Sequence, residues 1–240
     1  MISCDGVGIR FYLDRHHKVV TPVAARLRRH GSTKWGVRGV SFESGGGEGI
    51  ALIGPSGSGK TTTLRLLARV YWPDEGRVVV RGRVASLLST EAGLIWLLTG
   101  RENARLLGVL GGLSRRASLR ALDSVRERSQ LGDAFDEPVS TYSHGMRARL
   151  GFAVAVESDP KILLLDEVHE ALDHQYRDIV EERARALVDA GGVVVASGHD
   201  HGMLARLCTR AIWMQEGKVR ESGPFDQVQP RYLAAVHAQP

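Results

Sequence analysis

Two short strings in this sequence hold residue types that could do chemistry on a phosphate. The first, GPSGSGKT at 54–61, has the spacing GxxxxGK[ST] without a mismatch. An apolar run that reads as a strand precedes it, and TTTLRLLARVY, which reads as a helix, follows. In that setting Gly54, Gly57 and Gly59, with Pro55, Ser56 and Ser58 between them, let successive backbone N–H groups converge on an anion. The helix N-terminus adds positive potential, Lys60 reaches the outer phosphates, and Thr61 offers a hydroxyl to Mg²⁺, with Thr62 in the same cradle. The second string, ILLLDE at 162–167, delivers two carboxylates to the end of an apolar strand, where ligands of parallel sheets bind. Asp166 is placed to hold Mg²⁺, directly or through water, and Glu167 to orient or deprotonate an attacking water. Adjacent acids also begin ordinary polar loops, and the phosphate loop upstream favours the catalytic reading.

A third string poses a question. TYSHGMRARLGFA at 141–153 reads as the front of an amphipathic helix, yet it begins with a Ser-His-Gly tip that no packing argument requires.

The elements that must position these residues follow from pattern. A chain of 240 residues, 43% hydrophobic and 25% charged, can bury the core of one large α/β domain. Cys4 and Cys208 are far apart, with no metal-ligand spacing, so neither a disulfide framework nor a zinc site is expected. The apolar run at 94–98 is far shorter than the roughly 18 residues of a spanning helix, and the start MISCDGVGIRF does not read as a signal peptide. RGVSFE, GEGIALIG, GRVVVRGRVASLL, KILLLDE and GGVVVASGHD read as strands, AIWMQEGKVRESG as a hairpin. Helices are expected after the phosphate loop, over 114–131, over 175–190 and at MLARLCTR. Strands alternating with helices predict a largely parallel sheet covered on both faces.

The net charge of +5 is uneven: from Arg10 to Arg38 there are eight basic residues and one acid, Asp14. Nucleic acid, an anionic membrane surface or an acidic protein patch would each suit such an arm. Little aromatic interleaving and no nucleic-acid module accompany it, so nucleic acid is not expected as a partner.

Taken together the motifs resemble the ATP-binding cassette (ABC) family over nearly the whole chain. YSHGM stands where that family has LSGGQ, keeping Ser143 and Gly145 while His144 and Met146 replace a glycine and the glutamine. The resemblance answers the question of the tip: there it meets the γ-phosphate of ATP bound to an opposite subunit, which implies a homodimer. It further implies a D-loop in EALD at 170–173, a switch histidine in His199, and an adenine-stacking aromatic, for which we take Trp35, with Tyr12 as the alternative. Two departures stand out. The Q-loop glutamine has no clear counterpart, Ser89, Thr90 or Glu91 occupying the region, and Gly198 separates Ser197 from His199.

TGRENARLLG, PVSTYSHGMRARLGFAVA and LCTRAIWMQEGKV look like the ATPases that drive export of O-antigen, capsule and teichoic acid. By that likeness the basic arm, about 13–35, lies beside the membrane and its partner, and the chain, ending soon after the hairpin, leaves no room for a carbohydrate-binding domain. The expectation is a single ABC ATP-binding domain over 1–240: an α/β P-loop ATPase with a mostly parallel core sheet, an N-terminal antiparallel β portion and a helical insertion at about 94–156. It would bind ATP and Mg²⁺ and work at the cytoplasmic face of the membrane with separate transmembrane permease subunits. An exporter of a non-glycan lipid or drug is the alternative, followed by a non-transport ABC ATPase.

Overall fold

The computed structural model describes residues 1–13, 32–88, 93–167 and 172–237. The chain forms two compact units, one of Met1–Gly45, Ala51–Arg81 and Thr209–Pro240, the other of Gly46–Ile50 and Gly82–Cys208.

The first unit is built on a long hairpin. Strand β1 (Ile2–Leu13) runs antiparallel to β2 (Ser32–Ser44), from Ile2 opposite Ser44 to Leu13 opposite Ser32. Between Ile9 opposite Val37 and Arg10 opposite Trp35 the register slips by one, leaving Gly36 as an extra residue on β2. The phosphate loop connects β3 (Glu48–Ile53), whose second half belongs to this unit, to α1 (Lys60–Leu67). β4 (Glu75–Val80) pairs with the other edge of β1, giving the order β2-β1-β4. Helix α1 is shorter than its apolar pattern predicts. Arg69 takes a left-handed conformation (φ 59°) and its guanidinium donates to the Val80 carbonyl at 2.8 Å, so the chain turns into β4 instead of continuing the helix.

The second unit carries the fully buried strands. β5 (Val84–Leu87), β6 (Ile162–Leu165) and β7 (Val193–Ser197) are parallel and in register, Val84 beside Ile162 and Ile162 beside Val193. Every residue of ILLL and VVVAS is buried, as expected of strands covered on both faces. Helices α2 (Gly100–Leu110), α4 (Leu122–Ser129) and α5 (His144–Glu157) pack around Val125, Leu131, Phe135, Val139, Tyr142 and Leu150, and α3 (Arg115–Arg120) meets α2 through Ser118. Two further helices, α6 (His174–Asp189) and α7 (His201–Leu207), flank β7 in sequence.

β8 (Arg210–Gln215) and β9 (Lys218–Pro224) form the expected antiparallel hairpin in the first unit, with Glu216 and Gly217 both at positive φ in its turn. The chain then forms α8 (Phe225–His237), which sequence pattern did not indicate. In the second unit the parallel strands run in the order β5-β6-β7, so the α/β class, the antiparallel N-terminal sheet and the helical portion all hold.

Strand β1 and helix α2 were expected only as parts of the N-terminal antiparallel β portion and of the helical insertion, without bounds of their own. For α2 a signal existed: Thr99 and Glu102 form a reciprocal capping box, the Thr99 hydroxyl accepting from Glu102 N–H and the Glu102 carboxylate from Thr99 N–H. One turn later Asn103, fully buried, secures the segment before the helix. Its amide donates to the carbonyls of Ile95, Leu98 and Thr99, and its oxygen accepts from Ile95 N–H at 2.8 Å. Asn103→Ala strands backbone groups that these bonds satisfy. It should cost about 1–3 kcal/mol, read as a lowered urea midpoint at unchanged slope.

Candidate functional site

In the first unit the phosphate loop is shaped by contacts that admit no side chain at two of its glycines. A Cβ on Gly54 (φ 150°) would lie 2.2 Å from the Met214 carbonyl oxygen, and one on Gly59 (φ 105°) 2.6 Å from Val37 Cγ1. Thus β8 and β2 hold the two ends of the loop. Gly217 N–H donates to the Ser58 carbonyl at 3.0 Å, and Arg38 N–H to the Gly217 carbonyl at 2.8 Å. Lys60 is buried, its Nζ donating to the carbonyls of Gly54 (2.9 Å) and Pro55 (3.3 Å), which pins the ammonium beneath the loop. Pro55, Ser56 and Gly57 form the exposed tip, Ser58 is buried, and Thr61 and Thr62 lie half-buried in the first turn of α1. No side chain caps α1 and its first turn holds no acid, the arrangement that leaves helix-start N–H groups to an anion. The buried Ser58 hydroxyl also has no hydrogen-bond partner among the described residues. A polyphosphate fits this cradle.

The aromatic residues sort by face. Because Gly36 is the extra residue at the register slip, it and Val37 both turn towards the loop: a Cβ on Gly36 would meet Thr62 Cγ2 at 3.3 Å and the Phe11 ring at 2.3 Å. Phe11, edge-on to Tyr71 at 5.6 Å, therefore stands beside the start of α1. Trp35 instead lies close to Gly8, with the guanidinium groups of Arg10 and Arg38 over its ring at 4.9 and 4.6 Å. Tyr12 pairs with Thr33, further along the hairpin.

In the second unit β6 ends at Leu165 and presents Asp166 and Glu167. Asp166 is buried; its N–H donates to the Leu87 carbonyl of β5 at 3.1 Å, and the Ser197 hydroxyl of β7 donates to its Oδ1. In the sequence Ser197 stands out only by its spacing from His199, since a lone serine ending a strand gives no signal of a role. Glu167 and His199 are more exposed, with Oε1 and Nε2 at 3.4 Å, so the additional Gly198 does not keep His199 from the carboxylate. His199 is followed by Asp200, which caps α7 by accepting from Met203 N–H at 2.9 Å. That bond, with Arg206 and Arg177 nearby, holds the Asp200 carboxyl below the usual carboxylate range. Arg206 forks onto the buried Glu181 of α6 at 2.8 and 2.6 Å, tying the helix after His199 to α6.

The same unit carries the Ser-His-Gly tip. Ser143 caps α5, its hydroxyl accepting from Met146 N–H at 3.2 Å, and Ser143 and His144 are exposed. Behind them Tyr142 is buried and Arg147 donates to the Tyr142 carbonyl at 2.7 Å, its guanidinium over Trp96 at 4.9 Å. The tip thus faces outward on a braced helix start, with Gly145 in the first turn. Of the D-loop string, Asp173 caps α6 by accepting from Tyr176 N–H at 2.9 Å, and Arg177 donates to the Leu172 carbonyl at 2.8 Å. Glu170, residues 89–91 and the arm at 14–31 lie outside the described residues. Cys4 and Cys208 are buried free thiols, pushed up to about 12 by burial.

Residues 37–170, more than half of the sequence, match the ABC transporter family. This chain belongs to that family. It is 35% identical over 198 residues to the teichoic acids export ATP-binding protein TagH of Listeria monocytogenes serotype 4b, an alignment covering 82% of this chain and 59% of that protein. It is 37% identical over 200 residues to the O-antigen export system ATP-binding protein RfbB of Klebsiella pneumoniae, covering 83% and 81%. The chain thus spans about three-fifths of the length of the TagH protein it matches, at 59%. Among solved structures, the dimeric post-hydrolysis state of the ATP-binding cassette MJ0796 bound to ADP and Pi superposes with a TM-score of 0.77 at 20% identity. That superposition covers 94% of this chain and 99% of that one, and establishes the shared cassette fold.

Ser197 lends itself to a direct test. Ser197→Ala removes a donor from a buried carboxylate and should cost about 1–3 kcal/mol in urea unfolding, with Ser197→Thr recovering most of it. Equal stability of all three proteins would show that the hydroxyl does not hold Asp166.

Proposed function

We propose that this chain is the ATP-binding and hydrolysing subunit of an exporter that moves a cell-surface polysaccharide or lipid-linked glycan across the cytoplasmic membrane. The observation that carries the hydrolytic part is the Glu167–His199 pair at 3.4 Å, beside a buried Asp166, in a chain that also holds the phosphate loop. The TagH and RfbB relatives support the class of cargo.

In this reading Lys60 and the loop N–H groups neutralise and orient the phosphates, and Thr61 and Asp166 hold Mg²⁺, Asp166 directly or through water. Mg²⁺ would supply charge neutralisation at the phosphate oxygens. Glu167 accepts the proton of the attacking water and His199 orients the pair. Phe11 is the adenine-stacking residue that the geometry favours over Trp35, because its ring stands beside Thr62 at the start of α1. The outward Ser143 and Gly145, with the dipole of the fourteen-residue α5 behind them, meet ATP held by a second copy of the chain. Separate permease subunits form the pathway, and the basic arm docks beside them at the anionic membrane surface.

Two outcomes test this. Glu167→Gln should keep ATP binding, lose about 10²–10⁴-fold in turnover and accumulate an ATP-dependent dimer by analytical ultracentrifugation. Near-normal turnover with the permease present removes Glu167 from the role of base. Ser143→Arg in that background should bind ATP as a monomer and fail to dimerise, since each composite site draws Lys60 from one copy and Ser143 from the other. Dimerisation with unchanged nucleotide dependence would overturn the role of Ser143.

A further inference from the structure

The arginine-rich corner between α2 and α3 belongs to none of the roles above. From Asn103 to Leu122 the sequence holds four arginines, 105, 115, 116 and 120, and no acid. The two helices meet closely: a Cβ on Gly108 would lie 2.8 Å from Ser118 Oγ, and that buried hydroxyl donates to the Arg105 carbonyl at 2.7 Å. Ser118 thus turns α3 inward on one side only. Its other side presents Arg115, Arg116, Leu119 and Arg120 to solvent, next to Arg105, Val109 and Leu110 of α2.

Two properties set this corner apart from a solvated face. The first is charge without compensation: none of the four guanidinium groups has an ion-pair partner among the described residues, whereas Arg101 and Arg126 nearby both pair with Asp136. The nearest acid before the corner, Glu102, is folded back into the capping box with Thr99. The second is apolar exposure among those charges. Leu110 is 70% and Leu119 47% exposed, and Val109 is exposed beside them.

Cations and projecting aliphatic side chains on a firmly braced corner suit a surface that is anionic at the level of headgroups and apolar just beneath. Guanidinium groups remain with phosphates while leucines enter the acyl boundary. An acidic protein patch or nucleic acid would satisfy the arginines and leave Leu110 and Leu119 against polar groups. We infer that the α2–α3 corner is a membrane-contact surface that binds anionic phospholipid headgroups, distinct from the N-terminal basic arm. It rests on neither ATP chemistry nor the identity of the cargo.

The test is flotation of the full chain with vesicles of phosphatidylcholine alone or mixed with phosphatidylglycerol, at low and high salt. Replacing Arg115, Arg116 and Arg120 by Gln should reduce partitioning onto the anionic vesicles about a hundredfold, about fivefold per arginine, and flatten its salt dependence. Leu110→Ser with Leu119→Ser should leave the salt dependence and remove the binding that survives high salt. ATP affinity and turnover of both variants should match the parent, which separates loss of the surface from loss of the fold or of the nucleotide site. Unchanged partitioning of the arginine variant overturns the inference. So does unchanged lipid binding combined with lost co-purification of the permease in detergent, which would assign the corner to an acidic protein partner.

Discussion

Asp166 is the point on which the second unit is organised. It is buried at the end of a wholly apolar strand, and a carboxylate in such a place is tolerated only with donors around it. Ser197 supplies one from β7, while the Asp166 N–H anchors the same residue to Leu87 of β5. The in-register parallel pairing of β5, β6 and β7 is what brings these groups to one level. A slip of one residue in β6 would turn Asp166 to the opposite face, and one in β7 would turn Ser197 away from it. With Asp166 fixed, Glu167 emerges one residue further out, where His199 reaches it.

The phosphate loop in the first unit solves a related problem by different means. It must present N–H groups outward without collapsing on itself, and it is held open from behind. Met214 and Val37 crowd the positions of Gly54 and Gly59, Gly217 hydrogen-bonds Ser58, and Lys60 crosses beneath to two carbonyls. The register slip in the β1–β2 hairpin contributes directly, since it turns two consecutive residues, Gly36 and Val37, to the side of the loop.

Arginine does two kinds of work in the second unit. Arg147 and Arg206 are braces: one ties the start of α5 to Tyr142 and Trp96, the other ties α7 to Glu181. Each fixes an element that begins or follows a functional loop, and the planar fork suits that task better than a flexible ammonium. Arg105, Arg115, Arg116 and Arg120 brace nothing within the described residues and project outward with leucines. The same residue type thus holds the unit together in one place and equips its surface for an outside partner in another.

Residue order alone was enough to place the glycine loop between β3 and α1, Asp166 and Glu167 after β6, Ser143 at the start of α5 and His199 after β7. Each depends on a few consecutive residues whose backbone geometry and chemistry are local, and the alternation of apolar runs with helical periodicity was enough for the α/β class. The capping box that starts α2 is legible in the spacing of Thr99 and Glu102, while the glycines at 100 and 108 weaken the helical pattern that follows. Strand β1 carries too many glycines and polar residues to announce itself, and α8 contains Pro230. What only the tertiary structure decided concerns residues distant in sequence: that Ser197 holds Asp166, that Glu181 holds Arg206, and that Phe11, not Trp35, stands beside Thr62. The physical reason is that strand registers and helix crossings are set by the packing of the whole core. A one-residue slip at Gly36 exchanges the faces of a hairpin while leaving its composition and local propensities unchanged.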